Sequence, residues 1–184
     1  MTKPPVSSVS IVRRGPDGEE ELDDLVVAEE PLEIKVGFGP EEDRKQKSLS
    51  VTMRTPGHDL ELVAGFLFAE GIIDEPGQLN LLEHCQNVKS EDERGNVVRA
   101  ELAPGIELDL ESLQRYSYAS SSCGVCGKAS IEALAQLQCG SFPENEPSGF
   151  DPEMIKDLPA RLREVQTVFR HTGGIHATGL FDLE

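Results

Sequence analysis

The sequence predicts an α+β fold in which short strands come first and helices follow. Four segments near the N-terminus combine apolar or alternating residues with flanking turn residues, which is the pattern of short strands. An i, i+3, i+4, i+7 apolar spacing at residues 60–70 predicts the first helix, and Gly71 ends it. The length of 184 residues allows one core or two small domains, and we favour two. The predicted strands are residues 9–14, 24–28, 32–38 and 48–54.

The middle of the chain carries a predicted hairpin and a predicted domain boundary. Residues 87–90 and 96–102 flank an acidic segment that ends in Arg-Gly, which predicts two strands joined by a turn. The Ala-Pro-Gly sequence at residues 103–105 then opens a polar stretch. We therefore expect an N-terminal α+β domain over residues 1–115 and a second domain over residues 116–184.

The second predicted domain contains two helical regions and a final strand. Good helix formers at residues 129–138 predict the first region. Asp151 and Pro152 form an N-cap followed by proline at the first helical position, and they begin a helix that we expect to break near Pro159 and then resume. The apolar run at residues 175–181 predicts a buried strand. Because a buried strand needs neighbours, we expect this domain to be incomplete and the chain to be part of a longer protein.

The charge balance excludes some classes of function. Seventeen Lys and Arg against 34 Asp and Glu give a net charge of −17, which opposes binding to nucleic acid or to an anionic membrane. No apolar run has the length of a membrane span, and the first ten residues lack the pattern of a secretory signal. We therefore expect a cytoplasmic protein that binds neither nucleic acid nor membrane.

Cys123 and Cys126 are the main candidates for chemistry. They lie in the sequence Ser-Cys-Gly-Val-Cys-Gly-Lys, directly before the predicted helix that starts near residue 129. A helix N-terminus and the Lys128 cation both favour thiolate over thiol, and the glycines allow the backbone to present sulfur to a large partner. The pattern therefore indicates a reactive thiol pair.

A zinc knuckle explains the same two cysteines equally well at this stage. A Cys-x-x-Cys-Gly turn is the common half of a tetrahedral zinc site, which needs two further ligands. Those would come from among Cys85, Cys139, His171 and His176, because no second Cys-x-x-Cys is present. Residue chemistry alone leaves the reactive pair and the zinc knuckle open.

Four separated motifs lie between Arg54 and Asp182. They are Arg-Thr-Pro-Gly-His-Asp from Arg54, Gly-Phe-Leu through Glu-Gly-Ile-Ile from Gly65, Ser-Ser-Cys-Gly-Val-Cys-Gly-Lys from Ser121, and Thr-Gly-Gly-Ile-His-Ala from Thr172 with Phe181-Asp182. Together they closely resemble the FdhD family of sulfur carrier proteins, also called accessory sulfurtransferases, which are required for formate dehydrogenase activity. The resemblance is specific, because all four motifs occur in the family's order.

The resemblance implies a function and a second fold. Such proteins accept sulfur from a cysteine desulfurase as a persulfide, and the matching residue here is Cys123, with Cys126 as an auxiliary thiol. They deliver the sulfur to the molybdenum cofactor, Mo-bis-molybdopterin guanine dinucleotide, before its insertion into formate dehydrogenase. The resemblance also implies that the second domain has a cytidine-deaminase-like α/β/α core and forms a homodimer.

Several residues are candidates for binding the cofactor that this resemblance implies. Arg54, Lys128 and Arg170 are candidates for steering anionic cofactor groups. His176 is a further candidate, because a polar ring in an apolar segment needs a partner. The family continues beyond the last motif found here through a Gly-Arg-His-Asn segment and a cofactor-binding segment. We therefore expect the main cofactor site to lie in that missing part, and we expect no tightly bound cofactor.

Overall fold

The computed structural model divides into two compact units. Residue 3 and residues 30–108 belong to the first unit, whereas residues 4–29 and 151–182 belong to the second. The predicted boundary near residue 115 and the predicted helix at 129–138 lie outside the described residues and stay predictions. The structure describes residues 3–16, 18–106, 108 and 151–182.

A long antiparallel hairpin opens the second unit. Strand β1 (Val6–Gly15) pairs with β2 (Gly18–Val27) along their whole length, with Gly15 opposite Gly18. This confirms the strand predicted at residues 9–14 and extends the one predicted at 24–28 towards the N-terminus. The acidic first half of β2 faces basic residues of β1, with Arg14 Nε 2.8 Å from Glu19 Oε1, an opposite-charge pairing that favours this register.

The first unit is built on a four-stranded sheet. Its strand order is β4-β3-β6-β5, in which β3 runs parallel to β6 and the two outer pairs are antiparallel. The strands predicted at residues 32–38 and 48–54 are confirmed. The four strands are β3 (Glu30–Phe38), β4 (Lys45–Arg54), β5 (Leu79–His84) and β6 (Val97–Leu102).

Helix α1 (Asp59–Ala69) covers one face of this sheet and confirms the helix predicted at residues 60–70. Val63 and Leu67 are fully buried and pack with sheet residues, as the helical spacing predicts. The helix approaches β5 and β6. A short 3₁₀ turn (Pro76–Gln78) then leads into β5. The core also includes Leu32, Ile34, Val36, Phe38, Leu49, Ile73, Val98, Ala100 and Leu102.

The predicted hairpin has the wrong first strand. Strand β6 forms where residues 96–102 predict it, but its antiparallel partner is β5, and residues 87–90 belong to the connection between the two. Leu79 and Leu82 of β5 pack against the core. Residues 87–90, Asn-Val-Lys-Ser, carry only one apolar side chain, so pairing them with β6 would bury less apolar surface.

The predicted helix break at Pro159 is also wrong. Helix α2 (Pro152–Val165) starts at the predicted N-cap, where the Asp151 side chain accepts from the Glu153 N–H at 2.9 Å, and it continues through Pro159. The proline is exposed, so water can bond the carbonyl that loses its partner. The break comes at Gln166, before α3 (Thr167–Thr172). None of the described helices is long and apolar enough to cross a membrane.

The predicted strand at residues 175–181 is not formed. These residues have no regular secondary structure, and Leu180 is fully exposed at 101%. Ile175 has a φ of 139°, far from the strand region of a β-branched residue. None of the described strands pairs with this segment, so its backbone lacks the ladder of hydrogen bonds that a strand requires.

Candidate functional site

The structure describes only part of the predicted site. Cys123, Cys126 and Lys128 lie outside the described residues, and their roles stay predictions. Arg54 lies in the first unit and is buried, whereas His176 lies in the second unit and is exposed.

Arg54 and Asp59, the first and last residues of the Arg-Thr-Pro-Gly-His-Asp motif, form a buried ion pair. Arg54 Nε and Nη2 donate to Asp59 Oδ1 and Oδ2, each at 2.9 Å, and the two side chains are only 4% and 2% exposed. Two parallel charge-assisted bonds of this kind are the strongest arrangement between arginine and a carboxylate. The pair joins the last residue of β4 to the first residue of α1.

The Arg54–Asp59 pair contacts three more segments, two through the guanidinium and one through the carboxylate. Arg54 Nη2 donates to the Gly95 carbonyl at 3.0 Å, and Nη1 donates to the Glu30 carbonyl at 3.3 Å. His84, at the end of β5, places Nε2 3.4 Å from Asp59 Oδ2. All three nitrogens of the guanidinium therefore bond acceptors within the first unit. These contacts give Arg54 a structural role, and its role in cofactor binding stays a prediction.

A second polar cluster borders this pair. Asn96 Nδ2 donates to Glu30 Oε2 at 2.8 Å, and Lys3 pairs with the same carboxylate. The hydrogen bond from Lys3, reinforced by the one from Asn96, lowers the pKa of the Glu30 carboxyl below its ordinary value. Arg54 adds a weaker Coulombic contribution in the same direction. Together these residues hold the start of β3 beside the connection that precedes β6.

The buried pair fixes the turn between β4 and α1. Pro56 is buried, and Gly57 has a φ of 136°, a conformation that residues with a Cβ rarely adopt. His58 follows as the N-cap position, but its side chain makes no capping bond and is 92% exposed. The motif therefore forms a rigid turn with an exposed imidazole.

Cys85 is the one free cysteine within the described residues, and its environment is unsuited to nucleophilic chemistry. Partial burial raises the pKa of its thiol, an effect that Lys35 and Arg99 oppose. It lines a polar cleft of about 370 Å³. There the cations are already paired, since Lys35 Nζ lies 3.3 Å from Glu33 and Arg99 Nη2 lies 3.0 Å from Glu83. A thiol of this kind is protonated near neutral pH and reacts slowly.

Zinc ligation is not supported by the part of the chain that the structure describes. No group of three or more His, Cys, Asp or Glu side chains there could hold a metal ion. His171 and His176, two of the four candidates for the further ligands, are both exposed. A zinc site that uses Cys123 and Cys126 would lie outside the described residues.

Comparison with known proteins identifies the family. The model of the FdhD/NarQ family matches residues 27–184. The chain belongs to the FdhD/NarQ family. Two similar relatives are the sulfur carrier proteins FdhD of Streptomyces avermitilis, 41% identical over 162 residues, and of Streptomyces coelicolor, 42% identical over 159 residues. These alignments cover 88% and 86% of this chain but 55% and 54% of the relatives, so the chain spans about half their length.

A more distant FdhD relative and one solved structure extend this comparison. The sulfur carrier protein FdhD of Thermoplasma volcanium is 36% identical over 165 residues, which is 89% of this chain and 56% of the relative. A putative formate dehydrogenase accessory protein from Desulfotalea psychrophila has a TM-score of 0.41 and 21% identity, over 54% of this chain and 36% of that one. That structural similarity is too low to support an argument about fold, and the cytidine-deaminase-like core stays a prediction.

Sequence patterns of this FdhD/NarQ chain do not predict the partners of Arg54. Asp59 appears in the motif without an assigned role, and neither His84 nor Asn96 is part of it. One local signal was present, because opposite charges five residues apart flank a Pro-Gly turn. His84 and Asn96 gave no such signal, because sequence spacing does not reveal which distant residues meet across a sheet.

Proposed function

We propose that this chain is a sulfur carrier that holds sulfur as a persulfide on Cys123. The observation that carries the proposal is the family match over residues 27–184, which includes the Cys-Gly-Val-Cys sequence and links the chain to relatives named as sulfur carriers. The chain acts as a sulfurtransferase in this proposal. The sulfur donor is a cysteine desulfurase, and the acceptor is the molybdenum cofactor, Mo-bis-molybdopterin guanine dinucleotide, that activates formate dehydrogenase.

Sulfur transfer requires no external oxidant. The Cys123 thiolate attacks the outer sulfur of the donor persulfide, a new S–S bond forms, and the donor cysteine leaves as a thiolate. Delivery to the acceptor would break the S–S bond of this persulfide with Cys123 as the leaving thiolate, and sulfur that becomes a sulfide ligand would take two electrons from the reduced acceptor. If the Cys126 thiolate attacks the inner sulfur of the Cys123 persulfide, a disulfide forms and hydrosulfide leaves. Attack by Cys126 therefore either releases the sulfur where the acceptor needs it or loses it before delivery.

Lys128 and the predicted helix after the cysteines support this chemistry, because both stabilise a thiolate at Cys123. Cys85 provides the contrast, since burial raises its pKa. We propose further that Lys128 and His176 assist binding of the anionic acceptor, and that Arg54, which is buried, contributes only through the turn that it holds in place. The proposal includes a cytoplasmic location and homodimer formation by the family's whole protein.

The test is mass spectrometry after incubation of the protein with a cysteine desulfurase and cysteine. We expect added sulfur on Cys123, removal of that sulfur by reductant, and its absence in Cys123→Ala. The Cys85→Ala variant is the matched control and should load normally. Loading that survives in Cys123→Ala would refute the assignment. Stoichiometric zinc that resists dialysis and protects Cys123 and Cys126 from alkylation would instead support the zinc-binding alternative.

A further inference from the structure

The outer face of helix α1 exposes apolar and small residues beside a carboxylate, although one side of the helix already packs on the sheet. We call this the α1 outer face and define it by Leu62, Gly65, Phe68 and Ala69, which are all exposed, together with the exposed Glu61, four residues before Gly65. Phe68 is 63% exposed and Leu62 is 40% exposed. A surface helix normally carries mostly charged residues on this side, whereas here Glu61 is accompanied by two large exposed apolar side chains. Such exposure indicates that a second surface can pack against the helix.

The shape of this face suits a helix as its partner. Gly65 lies between Leu62 and Phe68, and a Cβ built on Gly65 would meet no atom within 4 Å. Leu62 and Phe68 therefore stand on either side of a shallow depression formed at Gly65 and Ala69. A partner helix can approach closely at a small residue while its own apolar side chains pack between the larger ones.

Charge around this face selects the kind of partner. Residues 55–88, which contain α1 and both of its flanking connections, include no Lys or Arg. Glu61 is an exposed carboxylate on this face, and Asp74 and Glu75, in the connection after the helix, are exposed carboxylates as well. A partner with basic residues beside its apolar positions would therefore be attracted, whereas a second copy of this chain, with a net charge of −17, would be repelled. Anionic membrane is disfavoured for the same reason.

We propose that the α1 outer face docks a basic amphipathic helix of a partner protein. Apolar side chains of that helix pack at Gly65 between Leu62 and Phe68, and a Lys or Arg of that helix lies beside Glu61. This surface contains no thiol, so the proposal is independent of sulfur transfer by Cys123.

The test measures binding of a fluorescently labelled helical peptide built only from leucine and lysine, with leucine at helical spacing. We expect saturable binding that weakens as salt rises, because exposed charges are screened over about 10 Å at 0.1 M ionic strength. The matched peptide with glutamate in place of lysine should not bind. Equal binding of the two peptides would overturn the role of charge.

Three variants separate docking on this face from general attraction to an acidic protein. Phe68→Ser should weaken binding by about tenfold, the loss expected for one well-packed apolar anchor. Gly65→Gln should weaken it similarly by filling the depression, while the melting temperature stays equal or rises, because glutamine favours helix more than glycine does. Met53→Thr is the control, since Met53 is 59% exposed on β4 rather than on α1, and it should bind normally.

Other outcomes would overturn the proposal. Equal affinity in all three variants would mean that charge alone attracts the peptide. Self-association that Phe68→Ser abolishes, measured by sedimentation, would assign the face to a second copy of the chain. Phe68-dependent binding to zwitterionic vesicles without peptide binding would assign it to lipid. Cys123→Ala should bind the peptide like the parent protein, so a failure of the sulfur proposal stays distinguishable from a failure of this one.

Discussion

Removing the charge of Asp59 should strongly destabilise the first unit. The Asp59→Asn substitution keeps the size of the side chain but leaves the Arg54 guanidinium, whose side chain is 4% exposed, without its counter-ion. Breaking a buried pair from one side typically costs about 3–5 kcal/mol, because a buried charge is left uncompensated. Against a total stability of about 5–15 kcal/mol for a typical domain, that loss is large. Urea unfolding at a fixed m-value measures it.

The chain offers a matched control for this prediction. Arg94 and Glu91 form the same double contact, at 2.9 and 2.8 Å, but their side chains are 61% and 81% exposed. Glu91→Gln should therefore leave the urea midpoint nearly unchanged, since water solvates both partners. If Asp59→Asn does not accumulate as folded protein, Arg54→Met/Asp59→Leu should recover folding by removing both charges. Similar small effects at Asp59 and Glu91 would refute the reasoning that burial decides the strength of the pair.

Three further predictions follow from single residues. Gly65→Ala should raise the free energy of unfolding by about 1 kcal/mol, because alanine favours helix and meets no neighbour there; a loss of stability in urea unfolding would contradict this. Because the pKa of Glu30 is lowered in the folded state, the unfolded state binds more protons between pH 4.5 and the folded-state pKa. The stability that this carboxylate contributes is therefore present above pH 4.5 and is lost as the pH falls through the folded-state pKa. Glu30→Gln should flatten the acid branch of a curve of unfolding free energy against pH, and an unchanged branch would count against this role. In an alkylation time course at neutral pH, Cys123 should react before Cys126 and Cys85. Cys85 should be slow because its raised pKa keeps the thiol protonated. Faster labelling of Cys85 or Cys126 would reverse these roles.

Local patterns predicted several elements correctly because their evidence lies within a few residues. The spacing of Val63 and Leu67 gave α1, and alternation gave the strands at residues 9–14, 32–38 and 48–54. The errors concern interactions between distant segments. Strand β6 pairs with β5 rather than with residues 87–90, since the choice of partner depends on which apolar side chains reach the core.

The two C-terminal errors have the same kind of cause. Residues 175–181 are apolar enough for a buried strand, but a strand also needs a neighbour, and none of the described strands supplies one. Pro159 suggested a helix break because proline removes a backbone donor, yet its cost depends on whether water can bond the free carbonyl. Both conditions belong to the surroundings of a segment, so its own residues could not reveal them.

The sequence by itself determined the family and the residues proposed for sulfur transfer. The Cys123 and Cys126 motif, the helix formers behind it and the other three motifs all lie in short continuous segments, where residue type and spacing carry the information. Tertiary structure alone decided how Arg54 is used. Its motif suggested a cation for an anionic cofactor, but folding buries the guanidinium against Asp59, Gly95 and Glu30, with His84 beside them. A buried charge must find its partners within the fold, and only the packing of β3, β4, β5 and α1 brings those partners together.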